Sequence, residues 1–600
     1  MAKLNINTTL PEECLCRIFS YLRPTDLMRA VEVSIAFHLK TSIYKKNHLC
    51  IQVCSHWRSV GGAPGLWSWT ILRATNANLA DISCMLGSTR MLGIKRMEVK
   101  VSFCDSSQVE KRHCYGKGRR KFETLLRAMA EHPNLKEVDF DETDFKCVHS
   151  NLLVKTLTNL EDARNVDSTK MTPQQLTDLL TRMGRGSRLK RLKLVGKNFS
   201  SLNPELLALA VKQLEDLDSS WTNLTSLQWE AIFAVVGTSS KLKKVDIFDD
   251  LRLVDAKVLA AGLNNLEDVS IYFTKVTIDQ VKVFLTETRK GTRLKKLSLE
   301  RIQLSSLNAN LISEALKKVE EVNLNTTSLT AHQIETIATI CGNSRQLKKL
   351  SISSNSLYSV DHNLFARGIM ELEEVEMVNM EMTPEEAFVV VAALAASSKL
   401  RRVNLELNDL SNVDPSLLAK AVGNLEEINL GSTCLTTEQL VEICSNLQDG
   451  TRVKKISFWR SNISNVDKLL LARALVNVLE VNLTATRLTE QQAMALFSSL
   501  RNPNRLIKLK IAWNPSLWRI RNTEIMAMGL NKLECVEMFG GVDEEGDSSL
   551  PTVNHVTSIL KHSLLSTKLR KLNIGKVRKG EVEAVLVKRA KEMIDNIIIF

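Results

Sequence analysis

One six-residue phrase, L-x-x-L-x-L, recurs along most of this 600-residue chain and limits its fold more than any other feature. A basic version reads LKRLKL at 189–194, LKKVDI at 242–247, LKKLSL at 294–299, LKKLSI at 347–352, LRRVNL at 400–405, VKKISF at 453–458, LIKLKI at 506–511 and LRKLNI at 569–574. The first seven of these start 52 or 53 residues apart. An acidic version falls between them: LEDLDS at 214–219, LEDVSI at 266–271, VEEVNL at 319–324, LEEVEM at 372–377, LEEINL at 425–430, VLEVNL at 478–483 and LECVEM at 533–538. The unit is therefore about 25 or 28 residues, and LKEVDF at 135–140 with the degenerate LEDARN at 160–165 carries the register back to give seventeen expected strands.

A unit of this length lies in the range of leucine-rich repeats, each of which buries its apolar face only by stacking on its neighbours. Leu347, Leu350 and Ile352 are expected to point inward while Lys348, Lys349 and Ser351 face away. Three residues later come Asn355, Asn408 and Asn514 in basic units and Thr327, Thr433 and Thr486 in acidic ones. Such side chains can satisfy backbone groups where the chain leaves the sheet. Leu357, Leu410, Leu329, Leu435 and Leu488 then return to the core. Acidic units continue with Thr330 and Gln333, Thr383 and Glu386, Thr436 and Gln439, Thr489 and Gln492, the spacing of a capping box at a helix start. Ser411 with Asp414 and Ser464 with Asp467 point to a related arrangement in basic units, and Leu417, Leu418, Ala421 and Val422 follow at helical spacing. The expected fold is α/β: over 131–600 a leucine-rich-repeat horseshoe solenoid with a parallel concave sheet and outer helices.

The two versions of the phrase also predict a charge ladder. Lys349 should neighbour Glu374, Glu374 should neighbour Arg402, and Arg402 should neighbour Glu427 on adjacent strands about 4.8 Å apart. Alternating charge avoids the repulsion of a row of lysines and argues against a uniformly basic groove for a phosphate backbone.

Composition narrows the classes further. Apolar residues make up 44% and charged residues 24%, a globular balance, and the net charge of +13 is spread over 80 basic and 67 acidic residues with 5% aromatics. A soluble basic surface is the simpler reading, and nucleic acid is not an expected partner. The twelve cysteines show no four-ligand spacing; Cys14 with Cys16, and Cys50 and Cys54 with His56, stand too isolated to hold a metal. Reduced, mostly buried thiols imply an intracellular protein, cytoplasmic or nuclear. The opening MAKLNINTTL lacks an apolar signal core and the terminal IIIF is too short to span a bilayer, so no membrane partner is expected. Phosphate-cradling, zinc-hydrolase and nucleophile-elbow motifs are absent and the ten histidines do not cluster in register. The chain is not expected to be an enzyme, and no catalytic residue, metal or cofactor is assigned.

Recognition should use the irregular positions just beyond each strand phrase. There the sequence places Phe248, Tyr272, Phe273, Arg301, Trp459, Arg460, Trp513 and Phe539, residue types that anchor protein interfaces. The alternative is that some fold onto turns or ends. Two segments interrupt the rhythm. Residues 104–121 contain KRHCYGKGRRK, expected to be an exposed basic loop, and GGVDEEGDSSLP at 540–551 lengthens the last spacing from 53 to 63 and should protrude. Leu586, Ala590, Met593 and Ile597 recur at helical spacing and are expected to cap the last repeat.

At the other end, residues 10–27 read LPEECLCRIFSYLRPTDL, with Leu15, Ile18, Phe19 and Leu22 on one helical stripe, Pro24 interrupting it and Asp26 placed to cap a second helix. VCSHWRSVGGAPGLWSWTIL at 53–72 adds Trp57, Trp67 and Trp69. A small helical cap on the first repeat would explain both. The leading L-P-x-E, I-F-S-Y-L, P-x-D-L, V-C-x-x-W-R and final L-W together resemble an F-box, and the whole chain resembles the F-box leucine-rich-repeat family. That resemblance implies a substrate-recognition subunit of an SCF-type cullin-RING ubiquitin ligase, with a small helical F-box-like domain at 1–72, a connecting and capping region at 73–130 and the repeats at 131–600. It implies that Leu10, Pro11, Leu15, Ile18, Phe19, Leu22 and Leu27 form or support the surface for the ligase adaptor, while the repeats hold an unknown substrate protein. The departure from the family is about twenty extra residues between Val33 and Val53. A leucine-rich-repeat scaffold or sensor that binds proteins without ligase assembly is the alternative.

Overall fold

A computed structural model describes residues 71–75, 82–83, 86, 94–101, 112–575 and 596–599, apart from 141–142, 168–169, 196–198, 220–222, 239, 273, 449, 543–547, 550 and 564–567. Contacts divide the chain into two units, Met1–Leu294 and Lys295–Phe600. In the first, parallel strands run in chain order through Ile71–Thr75, Arg96–Lys100, Glu137–Asp139, Asp162–Asp167, Arg191–Val195, Asp216–Asp218, Lys244–Ile247 and Asp268–Ile271. In the second they run from Lys296–Ser298 through Glu321–Asn323, Lys349–Ser351, Glu374–Glu376, Arg402–Asn404, Glu427–Asn429, Lys455–Ser457, Glu480–Asn482, Lys508–Lys510 and Cys535–Glu537 to Lys571–Gly575 and Asn596–Ile599. A helix follows nearly every strand on one face of the sheet. This is a repeating α/β solenoid with a parallel sheet and outer helices, as the phrase predicts.

Two kinds of buried side chain lock one unit to the next. Asn408 Nδ2 donates to the carbonyls of Met377 at 2.6 Å and Leu405 at 2.9 Å, and its Oδ1 accepts from Met380 N at 2.8 Å. Asn355 and Asn514 repeat that pattern on Leu324 and Leu329 and on Leu483 and Leu488. Thr327, Thr433 and Thr486 each donate to the carbonyl three residues earlier. The capping boxes form at all four expected Thr pairs. Their glutamines do more than cap. Gln333 Nε2 donates to Leu304 O and Leu307 O, both at 2.8 Å, and Gln439 and Gln492 clamp the preceding unit in the same way. Gln175, Gln228 and Gln280 do so in the first unit. These bonds satisfy carbonyls that the solenoid buries between repeats.

The structure departs from the sequence reading in four places. All seventeen expected strands form, and three more, Ile71–Thr75, Arg96–Lys100 and Asn596–Ile599, extend the parallel pairing. Where a basic loop is expected at 104–121, Arg112–Glu131 is a helix, because Phe122, Leu125, Leu126 and Met129 fall on one buried face; 104–111 lie outside the described residues. In basic units the helix caps are Asp414 and Asp467 themselves, while Ser411 N bonds Asp409 instead. The 540–551 insert contributes a short antiparallel ribbon, Gly541–Val542 with Ser548–Ser549. The F-box stripe, the insert at 34–52 and Leu586, Ala590 and Met593 lie outside the described residues, and Ile597 belongs to the last strand.

Candidate protein-binding face

In the second unit the helix-free face of the sheet is built from two side chains per strand, those flanking the buried middle residue. The charge ladder has the expected register, with Lys349 opposite Glu374, Glu374 opposite Arg402 and Arg402 opposite Glu427. It continues through Lys455, Glu480 and Lys508. Glu374 reaches Lys349 and Arg402, both at 2.5 Å, Glu427 meets Lys455 at 3.2 Å, and Glu480 meets Lys508 at 2.7 Å. Burial would push Glu374 up, but the hydrogen bonds from Lys349 and Arg402 hold it below its ordinary value. The same contest at Glu537, with Lys571 and Lys510 as partners, also ends with the carboxyl lowered. Each exposed pair contributes about 0–1 kcal/mol, so the ladder sets register and limits self-repulsion more than it stabilises.

In the first unit the alternation runs Arg191, Asp216, Lys244, Asp268. It fails once, at Glu137 beside Asp162, where Arg164 bridges the two carboxylates at 3.5 and 2.8 Å.

Beyond the carboxyl ends of the strands the chain turns through residues with positive φ that are not glycine, among them Arg301 (62°), Arg460 (59°) and Trp513 (59°). Their amides still bond the next unit, to Asn325 O, Thr484 O and Phe539 O, so the conformation is held by the ladder while the side chain is turned outward. Trp513 is 48% exposed and meets Phe539 edge-on with ring centroids 6.3 Å apart. The Arg460 guanidinium lies over the Trp459 ring at 4.7 Å. Two glycines make room for this rim. A methyl at Gly431 would lie 3.1 Å from a Trp459 ring carbon, and one at Gly575 would lie 2.6 Å from Phe539 Cβ.

The expected contact residues therefore fall into groups. Trp459 with Arg460, and Trp513 with Phe539, line one rim of the second unit two strands apart, on the order of 10 Å. Arg301 is exposed on the same kind of turn, 4.0 Å from Glu300. In the first unit half-buried Phe248 and Tyr272 pack together at 5.3 Å, and Phe273 lies outside the described residues. Leu10, Pro11, Leu15, Ile18, Phe19, Leu22 and Leu27 also lie outside them. A shallow groove of about 360 Å³ runs over the sheet face from Glu374 to Cys535. It adds residues that the sequence reading passed over: Asn404, Asn429, Ser457 and Asn482 in the third strand position, and Cys535 in the first. The signal for Cys535 is visible in LECVEM, the one acidic phrase with a thiol at that place.

Among the described residues no group of three or more His, Cys, Asp or Glu is arranged to hold a metal ion, and no helix is long and apolar enough to cross a membrane. Cys341 and Cys444 are buried, and burial pushes both thiols up to about 12, whereas Cys434 is exposed.

A family model described as F-box-like matches residues 8–41. Among curated proteins, the chain is 24% identical over 224 residues to a ribonuclease inhibitor of Sus scrofa, a match covering 35% of this chain and 49% of that protein. It is 21% identical over 333 residues to the ribonuclease inhibitor of Mus musculus, covering 52% of this chain and 73% of the relative. A third match, at 22% identity over 34% of this chain, is to 22% of the NACHT, LRR and PYD domains-containing protein 3 of Rattus norvegicus. The chain thus spans about half the length of the first of these relatives. Among solved structures, the leucine-rich repeat-containing protein LegL7 of Legionella pneumophila aligns over 50% of this chain and 98% of its own at 15% identity, with a TM-score of 0.34. The chain joins an F-box-like motif to a leucine-rich-repeat-like parallel solenoid, an arrangement consistent with a protein-interaction module.

Proposed function

We propose that this chain is the substrate receptor of an SCF-type cullin-RING ubiquitin ligase, with the adaptor held by the F-box-like motif and a substrate protein by the sheet face of the repeats. The observation that carries this reading is the F-box-like match at 8–41 in the same chain as a repeat array with an aromatic and arginine rim. The chain would perform no chemistry. Its work is positional: a bound protein is kept close to a ubiquitin-charged enzyme recruited by other subunits, so transfer gains from effective concentration. Leu15, Ile18, Phe19 and Leu22 supply the apolar stripe for the adaptor, and Trp459, Arg460, Trp513 and Phe539 supply anchors for the substrate.

The test is co-purification of the adaptor and cullin with the full chain. The expected result is association that Phe19→Ala abolishes and that Trp513→Ala leaves intact. Failure of a folded chain to bind either subunit, even after residues 34–52 are deleted, refutes the ligase role. A protein-binding scaffold without ligase assembly is the second reading, and likeness to ribonuclease inhibitors, named for acting on another protein, favours it. Retained substrate binding without adaptor would select it.

A further inference from the structure

The repeats provide their own standard for where the sheet has been altered. Three rows of side chains are available along it: the residue before each strand, at the amino-terminal edge of the helix-free face, then the first strand residue and the third, on that face. In most units the first row pairs acid with base, as Glu426 with Lys454 at 2.6 Å. At the next two strands the row instead holds half-buried Leu479 and Ile507. In the second row Cys535 takes the place of an acid, between Lys508 and Lys571. In the third, Lys510 takes the place of Ser or Asn. The clamping asparagine is replaced by Ser461, whose buried hydroxyl has no hydrogen-bond partner among the described residues. Trp459, Trp513 and Phe539 stand on the same stretch. The fold requires none of these changes, since neighbouring repeats form without them, yet they gather in the strands from Lys455–Ser457 to Lys571–Gly575.

Their chemistry has a sign. Over those five strands Lys454, Lys455, Lys508, Lys510, Arg570 and Lys571 meet only Glu480, Glu534 and Glu537 in the three rows. The five strands from Lys349–Ser351 to Lys455–Ser457 hold six basic groups and five carboxylates in the same rows. Lys510 and Lys571 share one carboxylate, Glu537, at 3.2 and 2.8 Å. Apolar groups stand at both ends of this basic strip, Leu479 and Ile507 before the strands and Trp513 with Phe539 beyond them. At about 3.3 Å per residue the two ends lie roughly 16 Å apart, the length of about five extended residues.

We propose that this strip binds an extended acidic segment of a partner protein, laid along the strands with an apolar residue at each end and carboxylates over Lys508, Lys510 and Lys571. It rests on the reading of the repeats as a protein-binding array and is independent of the F-box half of the proposed function. A nucleic acid fits less well, because Glu480 and Glu537 interrupt the lysines and would face a continuous row of phosphates.

The experiment measures anisotropy of a labelled peptide, GLDEDEFG, on the full chain, beside a charge-reversed GLKRKRFG, an end-substituted GSDEDESG and an oligothymidine. The acidic peptide is expected to bind at least about tenfold tighter than the other three, and Lys508→Gln with Lys510→Gln to weaken it about tenfold, with the same loss for Trp513→Ala. The upstream pair Lys348→Gln with Lys349→Gln should change it less than about twofold. Equal binding of both peptides, or of both lysine pairs, overturns the proposal, as does tighter binding of the oligothymidine. A gain of more than about tenfold on replacing the chain's own acidic run, DEEGD at 543–547, with Gly and Ser also overturns it, since this run would then be the occupant. Loss of adaptor binding has no bearing on any of these readings, so the two proposals fail separately.

Discussion

The glutamine clamp is broken at Glu386, and replacing Glu386 by Gln should repair it. Six glutamines at the third helical position each donate two hydrogen bonds to the preceding unit; among the described residues the same place is held by His555, which meets Ile520 O at 2.9 Å, and by Glu386, 3% exposed. Glu386 still closes its capping box, accepting from Thr383 N at 2.8 Å, but a carboxylate has no N–H for the carbonyls of Leu357 and Val360, which occupy the clamped places. The nearest cation-capable group is His362, whose Nδ1 stands 3.7 Å from Oε1, too far to bond, and has no hydrogen-bond partner among the described residues. Two restored bonds at about 0.5–1.5 kcal/mol each predict a gain of about 1–3 kcal/mol for Glu386→Gln. The converse, Gln439→Glu, removes two bonds of 2.7 Å and sets a carboxylate against the freed carbonyls, at a cost of about 2–4 kcal/mol.

Repeat arrays unfold locally, so the assay is native-state hydrogen exchange, reading the opening free energy of Pro384–Ala396 in one variant and Thr437–Gln448 in the other. A His362→Ala background tests whether the histidine offsets the missing bonds; the gain from Glu386→Gln should then rise if it does. Unchanged protection of Pro384–Ala396 in both backgrounds, together with a Gln439→Glu cost below about 0.5 kcal/mol, would refute the clamp as a source of stability.

Trp459→Ala and Trp513→Ala should each weaken substrate or peptide binding by about 1–4 kcal/mol, read by anisotropy, with thermal unfolding little changed. Ser461→Asn should add about 1–2 kcal/mol of stability in urea titration by giving this unit the clamp that Asn408 provides elsewhere. Burial raises Asp249 to about 6 against an ordinary 3.8, so the folded state holds its proton more tightly and stability should fall as pH rises from about 4 to about 6. Comparing urea midpoints of the wild type and Asp249→Asn across that window should show a slope of up to about 2–3 kcal/mol that the variant lacks. Gly368→Ala places a methyl 2.4 Å from the Ala338 carbonyl oxygen and should cost about 1–3 kcal/mol, whereas exposed Gly342→Ala in the helix Ala331–Asn343 should gain about 0.5–1 kcal/mol in the same unfolding assay.

The strands were legible because L-x-x-L-x-L states a two-residue alternation and its own spacing at once, and charges at fixed phrase positions carry the register with it. The strand Arg96–Lys100 escaped because its phrase reads I-x-x-M-x-V, with Ile94, Met97 and Val99 buried as leucines would be. The helix Arg112–Glu131 escaped for another reason: its first turns are basic and contain two glycines, a loop-like composition, and the apolar face that decides the matter begins only at Phe122. The left-handed turns were not legible at all. Leu407, Ser432, Arg460, Ala485 and Trp513 adopt positive φ with no glycine to announce it, because amides of adjacent units hold the turn through bonds about one repeat away in sequence.

The same distinction governs what the repeats say about binding. A residue that recurs from repeat to repeat, such as the clamping Gln or the Thr at the turn of the acidic units, is explained by stacking, and its recurrence removes it from the search for a partner's contacts. A residue that breaks the pattern has no such explanation, and if it also lowers stability it needs one. Ser461 gives up a clamp beside Trp459, Cys535 leaves two lysines without the carboxylate found at equivalent places, and Leu479 with Ile507 replaces an ion pair by apolar surface. Each change alone is small. Gathered on five adjacent strands they produce a strip with a basic middle and apolar ends, a combination that stacking does not need and an acidic, apolar-ended segment would use. Trp459 lies across Gly431 and Phe539 across Gly575, so even the glycines of neighbouring units are fitted to this rim. Only the structure could join them, since the contacts run between repeats; the sequence names the parts, and parallel stacking in register places them on one surface.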